Sequence, residues 1–151
     1  MNRFGVLSLC AVTGVAFALP SGTVFGQQKT LKEQIVGSWT YVSAETVASD
    51  GKRSPTFGPN PAGIAIFGSD GRYVSLVVRA DIPKFAANSR TAGTAEENKT
   101  VVQGGIATFG RYSINEADHT LTLNIERSTY PNWNGLEQKR AITITGGRTE
   151  I

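Results

Sequence analysis

Five charged side chains stand where predicted strands would carry them: Glu45, Arg79, Arg111, Glu126 and Arg140. A carboxylate and a guanidinium buried together can hold each other charged and orient a carbonyl or carboxylate on a bound molecule, whereas either one buried alone is costly. If Arg79 and Glu126 both point inward, they are expected to pair for that reason; the alternative is that they face solvent or close one end of the fold. Other reactive residue types are sparse. The single histidine, His119, falls in Glu116-Ala117-Asp118-His119, a turn sequence, and reads as a solvated turn residue. The single cysteine, Cys10, lies near the N-terminus. One His and one Cys are not the converging ligand set a zinc ion needs, so neither a metal nor a cofactor is expected. The chain has no Gly-x-Ser-x-Gly elbow, phosphate loop or dinucleotide fingerprint. Gly104-Gly105 follows a predicted helix instead of opening one. No catalytic residue is assigned.

The aromatic supply is richer. Trp39, Tyr41, Phe67, Tyr73, Phe85, Phe109, Tyr112 and Trp133 suit a packed core or the wall of an apolar pocket equally well. Tyr41, Phe67, Tyr73, Phe109 and Tyr112, with Arg79, Glu126 and Arg140, are the candidate ligand contacts. Gly37 and Trp39 are candidate structural residues: Gly37 lets the chain turn sharply into a strand, and the Trp39 ring can plug one end of a barrel.

Residues 1–26 read as a secretion signal. Arg3 supplies positive charge, Phe4 to Leu19 is an apolar run, and Pro20 breaks it. The run is short for a bilayer span, which needs about 20 apolar residues, and small-residue cleavage sites follow it. Cleavage after Ala18 competes with cleavage after Gly26, and Gly26 is favoured because the polar Gln27-Gln28-Lys29 then starts the mature chain. Leu9, before Cys10, is not the small residue that lipidation requires. The expected product is exported, periplasmic or secreted, with no stable membrane anchor. Removing residues 1–26 takes the formal charge from +3 to +2, with 14 basic and 12 acidic side chains scattered along the chain. No stripe suited to nucleic acid and no polybasic membrane patch is visible in that pattern.

Residues 27–151 are enough for one domain. Leu31 to Val36 reads as a short helical lead-in. From Gly37 to Ala44 the pattern alternates as a strand does. Asp50-Gly51 and Asp70-Gly71 are hairpin signals, Pro55 to Pro61 is a rigid loop, and strands are expected over 63–67 and 73–79. Ala80 to Gly93 is loop-like. Thr94-Ala95-Glu96-Glu97 is a capping box, which predicts a helix from Ala95 to about Gln103; it is read either as a lid over an open barrel end or as a plain surface connection. Further strands are expected over 106–114, 121–127 and 137–145, with an aromatic loop, Tyr130 to Gly135, before the last. Gly146-Gly147 starts another turn, and the closing strand or strands are expected to be missing from these 151 residues.

Taken in order, Val36-Gly37-Ser38-Trp39, Asp50-Gly51-Lys52-Arg53, Phe57-Gly58-Pro59-Asn60-Pro61-Ala62-Gly63, Asp70-Gly71-Arg72-Tyr73, Arg79 with Pro83-Lys84-Phe85, Gly93-Thr94-Ala95-Glu96-Glu97-Asn98, Phe109-Gly110-Arg111-Tyr112 and Pro131-Asn132-Trp133-Asn134-Gly135 with Gln138 and Arg140 resemble the lipocalin-like domain family of small bacterial and fungal barrels. The resemblance implies an all-β fold: an antiparallel barrel of about eight strands, with one short inserted helix and an apolar interior. Such a barrel is filled by its side chains or holds one small ligand. Three functions fit: an exported barrel that binds a small hydrophobic ligand, which is favoured; a small barrel enzyme of isomerase or cyclase type; and a filled structural module. The oligomeric state is left open.

Overall fold

In the computed structural model, residues 29–151 are described; the leader assigned to residues 1–26, with Cys10, lies outside them. The chain enters through a one-and-a-half-turn helix, α1 (Leu31–Ile35), capped by Thr30: its hydroxyl accepts from the Glu33 amide, and the Glu33 carboxylate accepts from the Thr30 amide. The carboxylate of Glu116, 85 residues downstream, accepts from the amides of Leu31 and Lys32 at 2.9 and 3.0 Å. Those amides have no partner inside a helix, so a distant acid ties the lead-in to the sheet.

The sheet has six antiparallel strands in the order β1-β4-β5-β6-β7-β8. In chain order these are β1 (Gly37–Thr40), an exposed hairpin of β2 (Glu45–Val47) and β3 (Arg53–Pro55), β4 (Ala62–Phe67) and β5 (Arg72–Val78). Helix α2 (Ala95–Gln103) follows, then β6 (Gly105–Asn115), β7 (Thr120–Ser128) and β8 (Glu137–Ala141). A small hairpin of β9 (Thr143–Thr145) and β10 (Arg148–Glu150) completes it. Among the described residues β1 and β8 are the sheet's edges, and the sheet is not closed.

Two expected strands are interrupted. The first ends at Thr40: Tyr41 makes one more bond in register, donating its amide to the Gly63 carbonyl, and the chain then leaves for the β2–β3 hairpin. The last leaves the sheet after Ala141: Ile142 still donates its amide in register to the carbonyl of His119, with its side chain 1% exposed, and the chain then starts the separate β9–β10 hairpin. The Asp-Gly turns follow expectation: Asp50 and Asp70 each accept, through the side chain, from the amide two residues on, the local bond that makes Asp-Gly a turn former. Helix α2 starts at its capping box, with reciprocal Thr94 and Glu97 bonds. Glu97 also accepts from the Ala86 amide at 2.8 Å. These backbone donors hold its carboxyl below the usual range and moor the 80–93 loop to the helix.

Alternation along the strands sends successive side chains to opposite faces. One face carries the core: Ile35, Ala65, Phe67, Tyr73, Tyr112, Leu121 and Ile142, with Trp39, Tyr41, Ile114, Leu123 and Ile144 against it. Gly37 takes φ +139° as it enters β1, and Trp39 donates its indole N–H to the Ile35 carbonyl at 2.6 Å. The ring is thereby pinned beside α1, at one end of the core.

Candidate functional site

Strand register lays the core face out in rows. Trp39, Ala65, Ser75, Thr108 and Ser128 form one row from β1 to β7, and Phe67, Tyr73, Gly110 and Ile125 form the next. Tyr112 and Leu123 then lead to Gln138, and Ile114 and Leu121 lead to Arg140. The second row is an aromatic floor. The Phe67 ring lies 6.2 Å from that of Tyr73, nearly parallel, and 5.1 Å from that of Tyr112, edge to face, a favoured aromatic geometry.

Over that floor the first row is a line of hydroxyls. Ser75 and Thr108 are cross-strand neighbours, and Thr108 is opposite Ser128. Tyr41 packs across Gly63 and brings its hydroxyl to 2.8 Å from that of Ser75. Tyr112 donates to the Gly68 carbonyl. Tyr73 is different: its side chain is 4% exposed and its hydroxyl is buried with no hydrogen-bond partner. Burial pushes its pKa above the ordinary tyrosine value; the Thr108 hydroxyl and the Arg140 charge act the other way, although Thr108 is not placed to make a hydrogen bond of ordinary geometry with it. At the row's far side Arg140 donates to the Gln138 side chain at 2.9 Å and makes no ion pair among the described residues.

A buried hydroxyl without a partner costs about 1–3 kcal/mol. Tyr73→Phe is therefore expected to raise stability by about 1 kcal/mol, read as a shift in urea midpoint at constant slope. The same residue gives a pH signature. The raised pKa values of Tyr73 and Tyr112, both caused first by burial, mean that above about pH 10 the unfolded chain releases protons the folded chain retains. Stability present below that pH is then lost as pH rises through the folded values, and Tyr73→Phe flattens the loss. An unchanged urea midpoint and an unchanged alkaline slope would show that the hydroxyl is already satisfied.

Register and burial divide the candidate contacts. Tyr41, Phe67, Tyr73 and Tyr112 come together on the core face, and Arg140 joins them at its margin. The inward pairing of Arg79 with Glu126 does not occur. Arg79, just past β5, forks onto Asp81 two residues on, at 2.8 and 2.9 Å, and holds that carboxyl below its usual range. Glu126 instead meets Arg72 at 3.0 Å. The physical reason is a bulge: register slips between Phe109 and Gly110, and Glu126 is the extra residue on β7. Phe109 falls on the outer face, 42% exposed, opposite Arg127. Arg111 faces Arg72 on that outer side, and Glu45 pairs with Arg53 in the exposed hairpin.

Ser75, Thr108 and Ser128 are not candidates on sequence grounds, and Gln138 enters only through the family resemblance. Counting in twos from Tyr73 reaches Ser75, but the other three become neighbours only through pairing between distant strands. Two cavities also lie outside the core rows. One, of ≈ 390 Å³, sits between α2 and the ends of β5 and β6, lined by Leu76, Val78, Ile82, Val101, Ala107 and Tyr130. The other is an open groove of ≈ 560 Å³ at the bulge, bordered by Phe109, Glu126, Arg127 and Leu136.

An antiparallel sheet that starts at Gly37-Ser38-Trp39, pins that Trp beside a short helix and gathers aromatics on one face agrees with the all-β antiparallel fold the family-like segments imply, but among the described residues its six strands stay open where a barrel of about eight is expected. The family model for the lipocalin-like domain matches residues 36–151. The chain belongs to the lipocalin-like domain family. Comparison with curated proteins and with solved structures gives no match. In a lipocalin-like domain the face that closes inward is the one that packs or holds a small molecule. Here that face carries both the aromatic floor and the hydroxyl row.

Proposed function

We propose that this lipocalin-like domain binds a small, largely apolar molecule on its core face, and that the protein works outside the cytoplasm, in the periplasm or as a secreted protein. The observation that carries the binding reading is the Tyr73 hydroxyl, buried without a partner beside Ser75 and Thr108. Ligand sites join an apolar lining to a few placed polar groups, and Phe67, Tyr73, Tyr112 and Ile125 supply the lining. A bound molecule with one acceptor atom would satisfy Tyr73 while its apolar body covers the aromatic row. The apolar leader sequence supports export.

Titration with dodecanoic acid and with an anilinonaphthalene dye tests the binding reading. Saturable binding is expected, with affinity falling about tenfold in Thr108→Val or Tyr73→Phe, each of which removes a hydroxyl and keeps the shape. Phe109→Ser, on the opposite face, should leave it unchanged. Non-saturable uptake, or affinity sensitive to Phe109→Ser alone, would contradict the reading.

A further inference from the structure

The outer face of the sheet is apolar where a solvated face would alternate to polar. Ile64, Leu76 and Ala107 form one cross-strand row; Ile66, Val74 and Phe109 form the next. Their five large side chains are 40–43% exposed. No polar side chain interrupts these two rows on β4, β5 and β6. Beyond Leu76 the apolar surface continues through Val78 to Val101 and Val102 of α2, the latter 73% exposed, and to Tyr130. A contiguous exposed apolar area of this kind marks an interaction surface.

Its other end is cationic. Arg72 and Arg111 are directly opposite each other, and Arg127 is opposite Phe109. Like charges placed so are unfavourable, and among the described residues Glu126 is the only carboxylate paired to any of the three. Arg111 and Arg127 have no acidic partner among the described residues. These arginines are scattered in the chain; the sheet and its bulge assemble them.

We propose that this outer face docks on an anionic lipid surface, with Ile64, Ile66, Val74, Leu76 and Phe109 against the acyl boundary and Arg111 and Arg127 on the headgroups. Charge complementarity selects that occupant. A second copy of the chain would bring the same arginines and the same net positive charge, whereas anionic headgroups supply the charge the face lacks. The Tyr130 and Trp133 rings, in edge-to-face contact at 5.7 Å, have one apolar and one polar end, as suits a membrane interface.

Co-sedimentation of the full chain with vesicles of phosphatidylglycerol and phosphatidylcholine, and with phosphatidylcholine vesicles alone, tests it. Binding is expected to the anionic vesicles, to weaken with salt, and to fall by about tenfold or more in Arg111→Glu/Arg127→Glu, since each basic side chain near such a surface matters appreciably. Leu76→Ser/Ile64→Ser should also reduce it. All four positions are exposed, and circular dichroism checks that each variant is folded. Equal binding to both vesicle types, or binding indifferent to the arginine reversal, would overturn the proposal, because an apolar segment elsewhere in the chain would behave in that way. So would failure to bind, including a case in which sedimentation velocity shows dimers that lose association on Leu76→Ser.

Discussion

Gly110→Ala is expected to cost the fold about 3 kcal/mol, read as a drop in urea midpoint, with loss of the bulge between β6 and β7. A Cβ at Gly110 would collide with the Asn124 carbonyl oxygen and crowd the Glu126 amide across the strand gap. Both are backbone atoms of the paired strand, so no side chain can swing away to make room. The two strands would have to separate where β6 and β7 share the longest pairing of the sheet. The consequence reaches past stability: the bulge puts Glu126 where it meets Arg72 and sets Phe109 opposite Arg127. A Gly110→Ala protein with unchanged stability would show that the slip in register is not built around this glycine.

The second large effect is Leu121→Ala, expected to cost about 3–4 kcal/mol. Leu121 is 0% exposed at the start of β7, in the cluster that also fully buries Ile35 of α1 and Ile142 after β8. Removing its side chain leaves a cavity where β7, α1 and the segment after β8 pack together. Collapse is limited because α1 is fixed by the Glu116 carboxylate and the Trp39 indole holds the Ile35 carbonyl. Thermal melting should show the drop, and hydrogen exchange should show α1 losing protection with it. A loss of under about 1 kcal/mol would mean that the lead-in helix contributes little to closing that end.

Local chemistry made much of this fold legible. Thr94 and Glu97 marked the helix start, Asp50-Gly51 and Asp70-Gly71 marked turns, and alternation around Tyr73 marked a strand. These signals lie within a few residues of what they specify. The misplacements are of another kind. Strand alternation cannot show that the chain quits β1 after Thr40 to form a hairpin, nor that it leaves β8 after Ala141 for the β9–β10 hairpin. Arg79 and Glu126 take the solvent-side alternative for a related reason. Asp81, two residues from Arg79, offers a near partner, and one extra residue at the bulge turns Glu126 toward Arg72. A single-residue slip reverses the face of every side chain beyond it, and nothing in the Glu126 neighbourhood of the sequence announces one. The same limit hid the hydroxyl row, since Ser75, Thr108 and Ser128 are joined by pairing alone.

The core face also shows a cost carried within a packed interior. Tyr73 keeps a hydroxyl that Phe would omit, and Thr149 also holds a buried hydroxyl without a partner, whereas Tyr112 reaches the Gly68 carbonyl and Trp39 the Ile35 carbonyl. Destabilising groups of this kind are expected where a protein meets its ligand.

The most direct measurement is a set of isotope-filtered nuclear Overhauser contacts between unlabelled dodecanoic acid and labelled protein. Binding on the core face predicts contacts to the rings of Tyr41 and Tyr73 and to the methyls of Thr108 and Ile125. Contacts confined to Ile64, Leu76 and Phe109 on the outer face, or none at saturating ligand, would contradict it.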